Sequence, residues 1–292
     1  MSEQAGRGLL DTSTVIALGA IEDARSYDAM IAATAVANGL PLCTCNPADF
    51  QGIDGLAVVP IPHPDGVTAP KLERAEAHLA ATRRSYDAIA ERYDREIGDE
   101  LLAKPLDRAL LDTLAEQCAG GIVADIGCGP GHIAAYLAAR GVPVTAVDLS
   151  PVMCSLTAKR GVPSAAANMT ALPLGSESLA GVICWYAVIH LDTDQRAAAY
   201  REINRVLRPG GYALLAFHVS DPDTSPGQAK PLRTWWGHQV ELTFRFLHPE
   251  QETSLLAEAG LDVLNRTDRE PGGTEHPSRR CYLLGRRQSG LT

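Results

Sequence analysis

The spacing of hydrophobic positions changes several times along the chain, and each change marks an element. Residues 71–97 are rich in Ala, Glu, Arg and Leu without Gly or Pro, which predicts one or two helices, and Pro105–Cys118 predicts another. Ile122–Ile126 is an apolar run between glycines and reads as a strand buried on both faces. Ile133, Tyr136 and Leu137 fall at i, i+3 and i+4, a helical stripe that Gly141 stops. Val144–Val147 predicts the next strand, and Ser150 followed by Pro151 reads as a helix cap and first helical residue. Gly181–Trp185 is a further strand, Arg196–Leu207 a further helix, and Arg-Pro-Gly-Gly at 208–211 a tight turn into the strand Tyr212–Val219. Residues 220–240 read as irregular, Pro249–Ala259 as a last helix, and 261–266 and 281–285 as closing strands.

Strands alternating with helices imply crossover units and a doubly wound, mostly parallel α/β sheet. Four prolines between Pro60 and Pro70 mark an extended linker. They divide the chain into a small N-terminal α/β segment (1–62), a linker and helix start (63–78) and a main domain (79–288).

Composition narrows the partners. With 35 acidic and 26 basic residues the formal charge is −9, which argues against nucleic acid or an anionic membrane as partner and toward a small molecule. Seven scattered cysteines with no C-x-x-C pair read as reduced thiols rather than a disulfide framework. No apolar run reaches the roughly 18–20 residues that cross a bilayer, and no signal peptide is evident, so a cytoplasmic protein is expected.

The chemistry concentrates in Val-Ala-Asp-Ile-Gly-Cys-Gly-Pro-Gly-His-Ile, which sets Asp125, Gly127, Cys128, Gly129 and Gly131 at a strand-to-helix turn. Glycines there let the backbone turn sharply and approach a ligand with no Cβ in the way. A dinucleotide fingerprint would place a small residue at 132, where this chain has His. D-x-G-C-G-x-G instead resembles the glycine loop of class I S-adenosylmethionine (SAM)-dependent methyltransferases, and the resemblance extends over about residues 80–287. It implies a Rossmann-like, seven-stranded mostly parallel sheet with SAM as cofactor. It also implies that the loop and Asp125 hold the methionine end, that Asp148 beside Leu149 grips the ribose hydroxyls, and that Asn168 and Met169 lie at the adenine edge. The family often carries an acid where this chain has Asn168. Ser-Tyr-Asp-Ala-Ile-Ala-Glu-Arg-Tyr-Asp resembles the leading helix of small-molecule methyltransferases, in which Tyr86 and Tyr93 would close over the cofactor, and Trp185 would lie beside its methionine end.

On the acceptor side, Tyr186 and His218 are expected to line the pocket, and Trp235 with Trp236 either forms an apolar wall or packs in the ordinary way. His190 is the candidate general base; its alternative is to orient cofactor or cap the next helix. His218 is a second, weaker base candidate. A SAM-binding protein without turnover is a further reading.

The first 62 residues point elsewhere. Leu-Leu-Asp-Thr-Ser-Thr-Val-Ile-Ala-Leu and Ser-Tyr-Asp-Ala-Met-Ile resemble pieces of PIN-domain toxin nucleases, in which Asp11, Asp28 and Asp49 would be the metal-binding acids. Only 17 residues separate Asp11 from Asp28, too few for that family's middle helices, so the segment reads as a shortened PIN-like piece. The competing functions are thus a small-molecule methyltransferase, with no metal, and an RNA-directed nuclease or toxin–antitoxin-like module.

Overall fold

The computed structural model describes residues 9–10, 24–44, 47–60, 69–273 and 275–289. The chain divides into two units, Met1–His78 and Leu79–Thr292. In the first, β1 (Leu9–Leu10), β2 (Leu42–Thr44) and β3 (Val58–Pro60) form a parallel sheet, with α1 (Ala24–Ala37) between β1 and β2. Ala32, Ala35, Leu42 and Phe50 make a four-residue buried core.

The second unit is led by the part of α2 (Ala69–Ile97) from Leu79 onward, one helix where one or two were expected, and by α3 (Pro105–Gln117). There follow β4 (Val123–Ile126), α4 (His132–Ala138), β5 (Val144–Asp148), α5 (Pro151–Lys159), β6 (Ser164–Ala166) and β7 (Leu179–Trp185). The chain closes with α6 (Thr193–Val206), β8 (Leu207–Ser220), β9 (Ala229–Trp235), β10 (His238–Arg245), α7 (Pro249–Glu258), β11 (Leu261–Arg269) and β12 (Arg279–Arg287).

The seven-stranded sheet runs β11-β12-β8-β7-β4-β5-β6. β12 is antiparallel to both its neighbours, and every other pairing is parallel. Every residue of β4 and of β7 is buried, as strands covered by helices on both faces must be. Strand order reverses at β4, so the carboxyl ends of β4, β5 and β7 open on one crevice, where ligands bind in sheets of this kind. Two features of the helices follow the sequence closely. Ser150 caps α5, its hydroxyl accepting from the Met153 amide at 3.1 Å, and Asp192 with Gln195 forms a reciprocal capping box on α6.

Two expectations need correction. Arg208–Gly211 is not a turn before a strand; it is a bulge inside β8, with the β7 pairing slipping between Leu179 and Gly181 and Gly210 at φ +77°. Residues 220–240 are irregular only up to about 228, because from Ala229 onward β9 and β10 form an antiparallel hairpin in which His238 faces Trp235. Trp236 (φ +48°) and Gly237 (φ +84°) both have the positive φ that a two-residue hairpin turn of the strand-matching hand demands. Such turns usually announce themselves as Asn-Gly or Asp-Gly. Here a tryptophan occupies the first position, which hid the hairpin.

Candidate active site

The glycine loop is shaped by contacts that exclude side chains. A Cβ on Gly127 (φ +73°) would come 2.2 Å from the Ala187 Cβ, and one on Gly131 (φ +83°) 2.7 Å from Thr157. Gly129 (φ +54°) is different: the nearest atom to its missing Cβ is on the Tyr93 ring, 3.9 Å away. Cys128 is small and buried, its thiol 3.4 Å from the Thr157 hydroxyl, and burial pushes that thiol far above its ordinary range. It is a packing residue and not a nucleophile.

Asp148, at the end of β5, binds this loop directly. One carboxylate oxygen accepts from the Gly129 amide and the other from the Ser150 amide, both at 2.8 Å. A carboxylate has about four acceptor positions, so two remain for a ligand's hydroxyls. Burial nevertheless raises its pKa to about 6, against these two hydrogen bonds. Asp125 is wholly buried, and no group makes a well-formed hydrogen bond to either carboxylate oxygen, the Ala134 backbone approaching without reaching that geometry. Burial, reinforced by the charge of Asp148, lifts its pKa to about 7, although the backbone of Ala134 pulls the other way. A carboxylate left unsatisfied beside a glycine loop is a site built for a cationic or hydrogen-bond-donating ligand.

Met169 reaches over the same loop, its methyl 3.4 Å from where a Gly127 Cβ would stand. Asn168 uses its amide oxygen to accept from the Thr170 amide at 3.0 Å, a local turn. Leu149, next to Asp148, is half-buried.

The tyrosine helix α2 lies against this crevice, and the two aspartates of its motif, which the sequence reading passed over, are what tether it. Asp87 accepts from the Ser150 hydroxyl at 2.5 Å, and Asp94 pairs with Arg160 at 2.5 Å, while Arg160 also donates to the Pro130 carbonyl within the loop. The adjacent residues, Tyr86 and Tyr93, are seven positions apart with ring centroids 5.9 Å apart. The Tyr86 hydroxyl lies 2.7 Å from His190 Nε2. Trp235 packs edge-on against both tyrosines and stacks on Trp236 at 4.6 Å. The hairpin residues of the predicted acceptor wall therefore join the predicted cofactor-side tyrosines in one aromatic cluster.

Tyr186, at φ +56°, stacks on His218 with centroids 4.8 Å apart. His218 Nδ1 is 2.9 Å from the Ser278 hydroxyl, and burial with the nearby Arg280 charge lowers its pKa to about 3. That makes His218 a neutral side chain and a poor base. Trp185 is 6% exposed and packs against Tyr186 and Tyr282, so its reach toward the crevice runs through Tyr186. Behind them stands a charged network absent from the sequence reading. Glu100 accepts from Lys104 at 2.6 Å and faces His132 at 3.2 Å, and these two partners hold its carboxyl down at about 2.

This geometry defines a Rossmann-like protein whose glycine loop and two strand-end acids suit an adenosyl amino-acid ligand. Comparisons with known proteins agree. Residues 123–211 match the family described as "Methyltransferase domain". The chain is 33% identical over 169 residues to the ubiquinone/menaquinone biosynthesis C-methyltransferase of Syntrophotalea carbinolica, covering 54% of this chain and 68% of that protein. It is 31% identical over 136 residues to the uncharacterized methyltransferase YodH of Bacillus subtilis, covering 44% of this chain and 54% of the other. The match spans about half the length of that protein, and 41% of a malonyl-[acyl-carrier protein] O-methyltransferase of Enterobacter lignolyticus. The fold resembles that of the CcbJ methyltransferase of Streptomyces caelestis, with a TM-score of 0.56 at 21% identity over 70% of this chain and 98% of that one. It also resembles the Burkholderia thailandensis 1,6-didemethyltoxoflavin-N1-methyltransferase, solved with S-adenosylhomocysteine, with a TM-score of 0.55 at 21% identity over 74% and 91% of the two chains. The chain belongs to the class I SAM-dependent methyltransferases.

Proposed function

We propose that this chain transfers the methyl group of SAM to a small-molecule acceptor. The observation that carries the reading is Asp125, a fully buried carboxylate with no well-formed hydrogen bond, at the base of a loop that leaves room for a ligand at Gly129. SAM supplies an activated methyl on a cationic sulfonium, and the protein's work is alignment. In this reading Asp125 and the loop of Gly127, Cys128, Gly129 and Gly131 receive the methionine end. Asp148, with Leu149 beside it, takes the ribose hydroxyls, while Asn168 and Met169 flank the adenine. Tyr86 and Tyr93 cover the cofactor. Tyr186, His218, Trp235 and Trp236 wall the acceptor, and His190 is the base.

Calorimetric titration with SAM and S-adenosylhomocysteine tests this, beside Asp148→Ala. Binding by the wild type that weakens about tenfold or more in the variant, roughly 1.4 kcal/mol, supports the assignment. A folded wild type that binds neither compound overturns it.

The nuclease alternative gains nothing from these observations. Asp28 lies on α1, Asp49 on a 3-10 turn at Pro47–Phe50, and Asp11 lies outside the described residues. Among the described residues no group of three or more His, Cys, Asp or Glu side chains is placed to hold a metal. No helix among them is long and apolar enough to cross a membrane.

A further inference from the structure

Resting on the methyltransferase reading, we propose that Tyr86 is the group that meets the acceptor's proton, with His190 as the base behind it, and that the β9–β10 hairpin assembles the pair. The acceptor class that follows is a neutral hydroxyl or N–H, whose proton has to leave when the methyl arrives.

The hydrogen-bond donors and acceptors set the direction of the relay. His190 Nδ1 lies 3.2 Å from the backbone carbonyl of Thr243 on β10, and a carbonyl can only accept. Nδ1 therefore carries the ring proton, Nε2 is bare, and the Tyr86 hydroxyl donates to it across 2.7 Å. His190 is 8% exposed and has Tyr86 in front of Nε2, whereas Tyr86 is half-buried and sits at the crevice. With Nε2 engaged by the Tyr86 hydroxyl, the phenol oxygen is the route by which a proton reaches the imidazole.

The hairpin makes two further bonds to the same elements. Arg245 donates to the His190 carbonyl at 2.7 Å, and the Glu241 amide donates to the Ser85 hydroxyl at 2.8 Å, one residue before Tyr86. Phe244 packs on the imidazole ring at 5.1 Å. With the hairpin in place, both halves of the pair are held from behind, and the Thr243 carbonyl selects the Nδ1–H form.

In the step itself, the acceptor heteroatom bonds to the methyl carbon as the carbon–sulfur bond of SAM breaks. The acceptor's proton passes to Tyr86 Oη while the phenol proton passes to His190 Nε2. The products are methylated acceptor, S-adenosylhomocysteine and imidazolium, which returns its proton to water. Neither a free tyrosinate nor a charged acceptor forms. A carboxylate acceptor, already ionised, would need no such relay.

The test uses the full chain saturated with S-adenosylhomocysteine and labelled with 15N-histidine. Its His190 signals are assigned by their loss in His190→Asn. A protonated Nδ1 and a bare, hydrogen-bonded Nε2, shifting in Tyr86→Phe, is the expected result. A proton on Nε2, or no shift in Tyr86→Phe, overturns the relay. A kinetic arm with a panel of phenols, heteroaromatic amines and carboxylates then reads the chemistry. A loss of about 100-fold in kcat in Tyr86→Phe, no greater in the double variant with His190→Asn, supports one shared proton path. Loss in His190→Asn with full activity in Tyr86→Phe makes His190 the direct base and overturns the proposal. Failure of the methyltransferase reading itself shows separately, as a folded wild type that binds no SAM.

Discussion

Asp125→Asn puts the orphaned carboxylate to the test through pH. The group ionises near 7 in the folded protein, against about 4 in an unfolded chain. Between those values the folded protein holds a proton that the unfolded chain has released, so stability falls as pH rises. Above pH 7 the loss is complete. At about 1.4 kcal/mol per pH unit across the three-unit gap, it amounts to roughly 4 kcal/mol, a large share of an ordinary domain's stability. Asp148 titrates with the same sign near 6, so the quantity to measure is the difference between wild type and variant and not the slope of either alone. Urea unfolding at pH 5 and pH 8 gives it. The variant should gain about 2–3 kcal/mol relative to wild type between the two, since one of the three units is already lost at pH 5, with the denaturant slope unchanged. A cationic ligand favours the ionised acid, so SAM should bind the wild type more tightly at pH 8 than at pH 5, and the variant should lose that dependence. A stability difference that stays constant within about 0.5 kcal/mol from pH 5 to pH 8 would falsify the claim that Asp125 is an unsatisfied buried acid.

Other predictions follow from single contacts. Gly127→Ala should cost about 2–5 kcal/mol, combining backbone strain at φ +73° with a 2.2 Å clash on Ala187. Gly129→Ala, with open space around it, should cost only about 1–2 kcal/mol; equal losses in thermal unfolding would refute this account of the loop. Glu252→Gln should destabilise by about 3 kcal/mol or more, because Arg196 of α6 makes a fully buried pair with Glu252 of α7 at 3.0 Å. A loss below 1 kcal/mol would refute this and mean that the Leu191 carbonyl and the Thr193 hydroxyl suffice to hold Arg196. Tryptophan fluorescence should change when S-adenosylhomocysteine binds, and Trp235→Phe with Trp236→Phe should remove most of the change, since Trp185 is packed in the core.

The elements that could be read in advance are those governed by local rules. Parallel strands announce themselves as short apolar runs, and Ser150-Pro151 and Gly141 punctuate helices by their own backbone preferences. The glycine loop is legible because its residue type is dictated by φ and by close approach, both local. What escaped depends on partners distant in sequence. β6 is three residues long and held from outside itself, by its ladder to β5 and by the Ser164 hydroxyl donating to the Cys154 carbonyl at 2.8 Å. The β9–β10 hairpin hides behind a Trp-Gly turn. Asp87 and Asp94 look like ordinary charges on a polar helix face until Ser150 and Arg160 are seen opposite them. The Glu100–Lys104–His132 cluster likewise joins residues up to 32 positions apart.

That division separates the two halves of the site physically. The cofactor half is a property of the sheet: a switch in strand order, a glycine turn and two acids at strand ends. Any sequence that folds this sheet with these residues presents it. The acceptor half belongs to a helix and a hairpin pinned onto that edge by individual hydrogen bonds, Ser85 to Glu241, His190 to Thr243 and Arg245 to His190. On the proposed reading of the site, changing the hairpin's side chains at 235 and 236 would alter the acceptor wall without touching Asp125 or Asp148, so acceptor choice could drift while cofactor binding stayed. The backbone bonds cannot drift in the same way. They hold His190 against Tyr86, and a hairpin that changed its register by one residue would exchange the Thr243 carbonyl for a different group and lose the imidazole orientation with it.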